Sequence, residues 1–169
     1  MNRRVRSLAR QIEMDYQDRD LVVIALLKGT VLFLADLVRY IRSPLRLAFI
    51  GVSSYRQGVR RGRLVVTQKL EMDLNGRDVL IVDDILDTGC TLTSVIRMTQ
   101  RHRPASLRVC VLLDKPTRRT HPVDVHYVGF QIPDHFVVGY GMDFEERFRN
   151  LPFVGVLKQS ASAEPTARV

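Results

Sequence analysis

The sequence predicts an α/β fold with a mostly parallel central sheet and helices on both faces. Continuous apolar runs of strand length alternate with segments of helical period along most of the 169 residues, the order typical of parallel crossover units. Polar residues follow three of these runs, as expected where parallel strands end at one edge of a sheet. We expect a single domain at residues 1–158 and a disordered tail at the small, polar, proline-containing residues 159–169.

The first part of the chain alternates helix and strand. Residues 3–17 place apolar side chains at helical spacing, and residues 21–27 are continuously apolar, as in a strand buried on both faces. A second helix is predicted at 30–41, capped near Thr30, and a second strand at 45–52. Because parallel strands are joined by crossovers that pack on the sheet, these helices are expected to cover it.

The segment 53–63 interrupts this alternation. It is polar and contains two glycines and four arginines, which predicts a mobile loop. The remaining predicted elements are strands at 64–69, 78–82, 107–113 and 123–130, a turn at 75–76, a helix at 91–101, a short extended piece at 136–140 and an edge strand at 153–157.

The run VLIVDDILDTGCTL at 79–92 carries the most specific chemical pattern of the chain. Its four apolar residues predict a buried strand, and Asp83, Asp84 and Asp87 follow at the strand end. Carboxylates in such a place need a metal, a hydroxyl or a backbone N–H as partner. Residues 88–91, Thr-Gly-Cys-Thr, lead into the next helix, whose first amides and positive dipole end suit a phosphate. The run therefore predicts a pocket for a phosphorylated sugar.

Two other strand ends carry polar clusters. Lys28 and Gly29 follow the first strand, and Asp114 and Lys115 follow a later one. Only four of the 26 basic residues are lysines, so a lysine at a strand end indicates that a compact point charge is needed there. Since ligands bind at the carboxyl ends of strands in open parallel sheets, we expect the three clusters to share one crevice.

Composition limits the class of protein and its partners. A net charge of +8 suits nucleotides, pyrophosphate or nucleic acid without choosing between them. The two cysteines, Cys90 and Cys110, give no disulfide framework and fit a reducing cytoplasm. No segment is long and apolar enough for a membrane span, and the basic N-terminus lacks the apolar stretch of a secretory signal. We therefore expect a cytoplasmic protein without a membrane partner.

The run at 79–91 also resembles the phosphoribosyl-pyrophosphate (PRPP) signature of the type I phosphoribosyltransferases: four apolar residues, two acids, two apolar residues, Asp-Thr-Gly, any residue and Thr. The resemblance implies the type I phosphoribosyltransferase fold, with a small hood and a flexible lid loop. The usual first acid in the purine branch is Glu. Asp83 stands there in this chain, one methylene shorter, so its contact is where we expect a departure from the family.

Other segments are similar to the hypoxanthine-guanine phosphoribosyltransferases: LLKG at 26–29, Ser54 and Tyr55, LDKP at 113–116, and above all IPDHFVVGYGMD at 132–143. These enzymes of purine salvage transfer ribose 5-phosphate from PRPP to N9 of a 6-oxopurine and release pyrophosphate with Mg²⁺. The resemblance therefore implies PRPP and a 6-oxopurine as substrates, Mg²⁺ as cofactor, and a homodimer or homotetramer.

The resemblance implies roles for residues on the PRPP side of the site. Asp83 and Asp84 would meet the ribose hydroxyls directly or through Mg²⁺, although strand alternation lets at most one of them make the close contact. Asp143 would hold a Mg²⁺ on the pyrophosphate side, and the peptide before Lys28 can be cis. The other implied contacts are Thr88, Gly89, Cys90 and Thr91 to the 5′-phosphate, and Lys28, Gly29, Arg119 and Arg149 to pyrophosphate.

On the purine side, the resemblance implies Asp87 as the general base toward N7. Lys115 would stabilise negative charge on O6 as N7 loses its proton. Phe136 would stack on the purine, and Val137, with Asp143 nearby, would present backbone groups to its Watson–Crick edge. The lid that begins at Ser54 and Tyr55 would close over the site and exclude water.

Each role has an alternative in the residues themselves. Asp87 could cap the following helix, Lys115 could be a surface lysine, and Phe136 could be a core aromatic. The lid could be an exposed loop with no catalytic role, and Cys90 could have a redox role. Other expectations concern charge and metal: Arg118 and Arg147 are expected to be solvated, and His102, His121, His126 and His135 lack metal-ligand spacing.

Two other functions remain open at the level of sequence. One is a PRPP- or nucleotide-sensing regulator that binds RNA, which the net charge permits. The other is phosphoribosyl transfer to xanthine, adenine or a pyrimidine. The presence of Asp87, Lys115 and Asp143 favours an enzyme over a regulator, so nucleic acid is not the expected partner. The match at Lys115, Phe136 and Val137 favours a 6-oxopurine.

Overall fold

The computed structural model describes residues 1–54, 64–68 and 70–157. Most of the predicted loop at 53–63, including Tyr55, and the predicted tail at 159–169 lie outside the described residues. In chain order the elements are α1 (Asn2–Asp15), β1 (Leu21–Leu27), α2 (Val31–Val38), β2 (Leu45–Ser54), β3 (Leu64–Gln68), β4 (Asp78–Leu86), α3 (Cys90–Gln100), β5 (Ser106–Asp114), a 3-10 turn at Pro116–Arg118, β6 (Tyr127–Gln131), β7 (Val137–Val138) and β8 (Gly155–Val156).

Within the described residues, six strands form one sheet in the order β3-β2-β1-β4-β5-β6. The five neighbouring strands β2, β1, β4, β5 and β6 pair in parallel. Strand β3, at the edge, runs antiparallel to β2. The predicted mostly parallel sheet is therefore confirmed. The carboxyl ends of β1, β4 and β5 are neighbours, and these are the ends that carry the three polar clusters.

Helices cover both faces of the sheet, as predicted. One apolar cluster joins α1 and α2 to alternate residues of β1 and β4, such as Val23 and Leu80. The other joins α3 to the intervening residues, such as Ile24 and Ile81. Because neighbouring side chains of a strand point to opposite faces, continuous apolar strands of this kind need a layer on each side.

Several boundaries differ from the prediction, and the differences at β4, α2 and β6 are three or more residues. Strand β4 runs four residues past 82, because its ladder with β5 continues to the pairs Ile85–Leu113 and Leu86–Asp114. Helix α2 ends at Val38 instead of 41. Strand β6 begins at Tyr127 instead of 123, because only from there does the chain pair with β5, at Cys110.

A smaller unit, which we call the hood, covers residues 132–157 and contains the antiparallel pair β7 and β8. It is joined to the sheet where the Ile132 amide donates to the Asp114 carbonyl at 2.9 Å. The Tyr140 hydroxyl donates to the Asp36 carboxylate of α2. The hood is thereby fixed over the carboxyl ends of the strands.

In the part of the chain that the structure describes, no helix has the length and apolar character needed to cross a bilayer.

Candidate active site

Gly29, at the carboxyl end of β1, lies in direct contact with the Asp84 side chain and with the backbone at Gly141. A Cβ added to Gly29 would lie 1.9 Å from Asp84 Oδ2, and one added to Gly141 would lie 1.9 Å from the Gly29 carbonyl oxygen. Gly141 also has a φ of 102°, which favours glycine. The loop after β1, the acids of β4 and the hood therefore pack directly on one another. The Leu27–Lys28 peptide is cis, as the resemblance implied.

Asp83 and Asp84 diverge from the end of β4. Asp83 is buried, and its Oδ1 accepts hydrogen bonds from the Thr30 hydroxyl at 3.3 Å and the Asp84 amide at 3.1 Å. Thr30 occupies the predicted cap position of α2. Its hydroxyl binds the Asp83 carboxylate, however, and makes no cap hydrogen bond to the helix. Asp84 instead packs on Gly29, so the two carboxylates face different partners.

Burial disfavours the charged form of both acids. Burial raises the pKa of Asp83 well above its usual range, and the neighbouring Asp84 charge raises it further. Burial also raises the pKa of Asp84, and the positive charge of Arg149 partly opposes that shift. Such a pair favours a partner that donates hydrogen bonds or carries positive charge, and both sugar hydroxyls and a divalent cation meet this description.

The loop between β4 and α3 has the geometry of a phosphate site. Gly89 precedes α3 with a φ of 85°, and a Cβ there would lie 2.3 Å from the His121 carbonyl oxygen. The Thr88 carbonyl accepts from the amides of Thr120 and His121, both at 3.0 Å, which fixes the loop from outside. Thr91 follows exposed Cys90 in the first turn of α3, whose leading amides have no intrahelical acceptor. These amides can receive an anion.

Asp87 does not cap α3. Gly89 holds the cap position, and no side-chain cap bond is formed there. The Asp87 Oδ1 atom instead accepts from Arg118 Nε at 3.1 Å. Arg118 also lies with Nη1 3.6 Å from Asp134 Oδ2. Arg118 is exposed, as expected, with 47% of its side chain accessible. Its guanidinium also contacts two carboxylates of the site, which the sequence did not predict.

Lys115 is buried, with 6% of its surface exposed. Its Nζ lies 3.6 Å from Asp134 Oδ1, and its amide donates to the Leu86 carbonyl at 3.0 Å. Asp134 thus connects Lys115 to Arg118, and Arg118 connects both to Asp87. We call these three linked ion pairs, Asp87–Arg118–Asp134–Lys115, the ion-pair chain; it joins the proposed base to the proposed O6 contact. The burial of Lys115 excludes the alternative of an ordinary surface lysine.

Arg119 has a different position from the one expected. It donates to the Asp114 carboxylate and, at 3.0 Å, to the Asp87 carbonyl oxygen. Its side chain is 20% exposed. These contacts tie the end of β5 to the phosphate loop, and the predicted contact of Arg119 with pyrophosphate stays a prediction. The guanidinium acts as a brace between two strand ends.

Arg149 is the main cation of the hood side. Its Nη1 donates to the Gly141 carbonyl at 2.9 Å, and its Nη2 lies 2.9 Å from Asp143 Oδ1 and 3.2 Å from Glu146 Oε1. The Nε atom is buried and has no hydrogen-bond partner among the described residues. A buried donor without a partner indicates a place for a ligand acceptor.

Phe136 is 49% exposed, so it is not a core aromatic. Its ring packs edge-to-face on Phe144, with centroids 5.7 Å apart. The Phe136 carbonyl accepts from the Leu157 amide at 2.9 Å, and Val137 pairs with Val156. The backbone is therefore fixed while about half of the Phe136 surface remains accessible, which would allow stacking.

A model of the phosphoribosyl transferase domain matches residues 1–145. The hypoxanthine-guanine phosphoribosyltransferase of Staphylococcus epidermidis is 46% identical over 148 residues, 87% of this chain and 83% of that protein. The hypoxanthine phosphoribosyltransferase of Haemophilus influenzae is 47% identical over 156 residues, 90% of this chain and 87% of that protein. The chain belongs to the hypoxanthine-guanine phosphoribosyltransferase family.

Solved structures of the family have the same fold. A hypoxanthine-guanine phosphoribosyltransferase from Bacillus anthracis superposes with a TM-score of 0.88 at 42% identity, covering 93% of each chain. A hypoxanthine phosphoribosyltransferase from Staphylococcus aureus gives a TM-score of 0.86 at 40% identity, covering 94% of this chain and 89% of that one. The type I phosphoribosyltransferase fold is thereby confirmed.

Sequence reasoning missed three residues of this family member's crevice: Arg118, Asp134 and Glu146. Asp134 stands inside the quoted hood segment, so the motif itself contained the signal. Arg118 and Glu146 each stand beside a like-charged neighbour, Arg119 and Glu145, and the sequence does not say which of the two faces the site.

Proposed function

We propose that the protein transfers ribose 5-phosphate from PRPP to N9 of hypoxanthine or guanine and releases pyrophosphate, a reaction of purine salvage. The observation that carries the proposal is the ion-pair chain Asp87–Arg118–Asp134–Lys115 beside the phosphate loop. It sets a carboxylate and a buried ammonium near one another at adjacent strand ends. A purine that loses a proton at N7 and gains negative charge at O6 needs such a pair.

PRPP would occupy the crevice beneath the hood. The amides and hydroxyls of Thr88, Gly89, Cys90 and Thr91 suit the 5′-phosphate. The carboxylate of Asp84, on Gly29, suits the ribose hydroxyls, whereas buried Asp83 holds Thr30 and supports the loop. Asp83, one methylene shorter than the Glu usual at this position, is consistent with a supporting contact to Thr30, which leaves the ribose to Asp84.

Pyrophosphate would lie between the loop after β1 and the hood. The Lys28 ammonium, the Gly29 backbone and the unpartnered Nε of Arg149 supply donors there. Arg119 is left out of this set because it braces the strand ends.

The acidic side chains at this end of the crevice fit a magnesium ion. Asp143, Asp83 and Asp84 offer the hard carboxylate oxygens that Mg²⁺ prefers. In the described part of the chain, no cluster of three or more metal-ligating side chains is preformed, which suits an ion held by one or two carboxylates and substrate phosphates. When bound, Mg²⁺ would neutralise charge on the leaving pyrophosphate.

In the reaction, the bond from C1′ to the pyrophosphate oxygen breaks with its electron pair on the leaving group, and N9 of the purine bonds to C1′. Asp87 takes the proton from N7. Arg118 contacts only its Oδ1, so the second carboxylate oxygen can accept that proton. Lys115 stays in place because Asp134 holds it, and its charge stabilises O6.

The purine is positioned from the hood side. Phe136 stacks on the ring system, and the backbone of Val137 presents groups to the Watson–Crick edge, with Asp143 nearby. The lid expected to begin at Ser54 and Tyr55, most of which lies outside the described residues, would close over the reacting centre and exclude water.

The decisive experiment measures nucleotide formation from PRPP and Mg²⁺ with hypoxanthine, guanine, xanthine and adenine in parallel. We expect turnover with hypoxanthine or guanine and little with adenine, whose amino group cannot accept from Lys115. Turnover confined to adenine would contradict the assignment of Lys115. Retention of RNA on a filter without pyrophosphate release from any base would replace the enzyme by a regulator.

We also propose a homodimer or homotetramer, on the strength of the resemblance to the family. Sedimentation equilibrium at micromolar protein would show it, and a monomeric mass across the concentration range would exclude it.

A further inference from the structure

The Glu146 carboxylate occupies two cations at once. Its Oε2 lies 3.1 Å from Lys28 Nζ, and its Oε1 lies 3.2 Å from Arg149 Nη2. These cations belong to different segments, the loop after β1 and the hood. Both are proposed above to bind pyrophosphate. One carboxylate therefore bridges the two groups between which the leaving group would lie.

The backbone fixes Glu146 in this position. Its amide donates to Asp143 Oδ2 at 3.0 Å, and its φ is 62°, a left-handed conformation. The Lys28 hydrogen bond and the Arg149 charge lower the pKa of its carboxyl, so the side chain is an anion near neutral pH. A carboxylate with both oxygens on cations has the same recognition chemistry as a phosphate oxygen pair.

The contacts of Glu146 are also easy to exchange. The side chains of Glu146 and Lys28 are both exposed, and exposed ion pairs contribute little because water and salt compete with them. A ligand with more negative charge can therefore displace Glu146. Its displacement frees Lys28 from its ion pair among the described residues. It also frees one N–H of Arg149 Nη2, the nitrogen that still contacts Asp143.

We propose that Glu146 is a built-in competitor for pyrophosphate, which occupies Lys28 and Arg149 in the empty enzyme and returns to them as the product leaves. This inference rests on the proposed function. Its consequence is weaker binding of pyrophosphate and of the pyrophosphate group of PRPP than the two cations alone would give, with faster product release. The opposite possibility is that Glu146 holds Lys28 ready for the substrate, and removing it would then weaken binding.

The chain supplies a matched control at the preceding position. Glu145 is exposed, has a φ of 51°, and makes no ion pair in the part of the chain that the structure describes. Glu145→Gln and Glu146→Gln change the net charge equally and keep the shape of the side chain. A difference between the two variants therefore reports the bridge to Lys28 and Arg149, and an equal effect reports net charge alone.

The first measurement is calorimetric titration of Mg²⁺-pyrophosphate into the intact protein, which needs no turnover. Glu146→Gln should bind pyrophosphate about three- to tenfold more tightly than the wild type, the range expected for removing one or two exposed ion pairs. Glu145→Gln should bind as the wild type does. The gain of Glu146→Gln should shrink at high salt, since salt screens exposed pairs. Unchanged or weaker binding in Glu146→Gln, or an equal gain in Glu145→Gln, would overturn the proposal.

The second measurement separates this inference from the proposed function. In Glu146→Gln the KM for PRPP should fall while the KM for the purine stays the same, because only the pyrophosphate group competes with Glu146. A rise in the KM for PRPP would mean that Glu146 positions Lys28 and would overturn the competitor role. If the wild type forms no nucleotide from any purine, the proposed function fails, and the calorimetric result still decides whether Glu146 competes with an anion.

Discussion

At the residue scale, the ion-pair chain explains how the base Asp87 and the cation Lys115 can lie near one another without forming a direct ion pair. A direct pair between Asp87 and Lys115 would bury the base against the cation. Arg118 and Asp134 lie between them instead and give each its own partner. Arg118 is the more exposed of the two basic residues, so it can leave Asp87 when the purine arrives, whereas buried Lys115 stays.

The first prediction concerns Asp87. Asp87→Asn should lower kcat about 10²- to 10⁴-fold, the usual contribution of a general base, with little change in PRPP affinity. The amide keeps the shape of the side chain but cannot take the N7 proton. Steady-state kinetics with guanine and calorimetry with PRPP would check it. Asp124→Asn, at an exposed position, is the control. Unchanged turnover in Asp87→Asn would remove this residue as the base.

At the element scale, the two arginines that follow Pro116 show how a short turn assigns roles. The 3-10 turn at Pro116–Arg118 directs Arg118 toward Asp87 and Asp134, and sends Arg119 back to Asp114. The first faces the crevice, and the second joins β5 to the loop after β4. Two adjacent residues of the same type thus serve ligand and fold separately.

The brace can be tested directly. Arg119→Met should lower the melting temperature, with a loss of about 1–3 kcal/mol, because the Asp114 carboxylate stays buried without its partner. Pyrophosphate affinity should change little. Arg147→Met, at an exposed position, should not affect melting. Calorimetry and thermal unfolding would measure both quantities. A large loss of pyrophosphate affinity with normal melting would restore Arg119 as a pyrophosphate ligand.

The elements and the residues differ in how well sequence predicts them. Strand β1 was predicted at its observed bounds because its seven residues are all apolar and are followed by Lys28 and Gly29. Strand β4 was predicted too short because acids look like a strand end, although backbone pairing with β5 does not depend on side-chain polarity. The motifs predict that Asp87, Lys115 and Phe136 share one crevice, and Asp87 and Lys115 do follow the ends of the paired strands β4 and β5. The choice between Arg118 and Arg119, or between Glu145 and Glu146, did not, because it depends on local backbone angles.

At the scale of the whole molecule, buried phenols tie stability to pH. Burial raises the pKa of Tyr16 to about 12 from its ordinary value of 10.0. Burial also raises the pKa of Tyr127 and Tyr140. A raised pKa in the folded state means that folding favours the neutral phenol. That stabilisation is complete below pH 10 and is lost as the pH rises through the folded-state values.

We therefore expect the melting temperature to fall steeply between pH 10 and about pH 12, the interval set by Tyr16. Thermal unfolding followed by circular dichroism, with phenolate absorbance recorded in parallel, would show it. Tyr40 gives an internal comparison, because the neighbouring Arg6 guanidinium lowers its pKa. Its phenolate should form first and without unfolding. A melting temperature that stays constant to pH 12 would contradict the role of these buried phenols.

The close approach of Gly29 to Asp84 and Gly141 has a consequence for the order in which the protein is made. The phosphate loop leaves the ribosome long before the hood, which comes from the last part of the described chain. A nascent or truncated chain that ends before Gly141 can contain the whole PRPP signature and still lack the wall that the hood presses onto Gly29. We therefore expect a chain that ends before Gly141 to lack an assembled site.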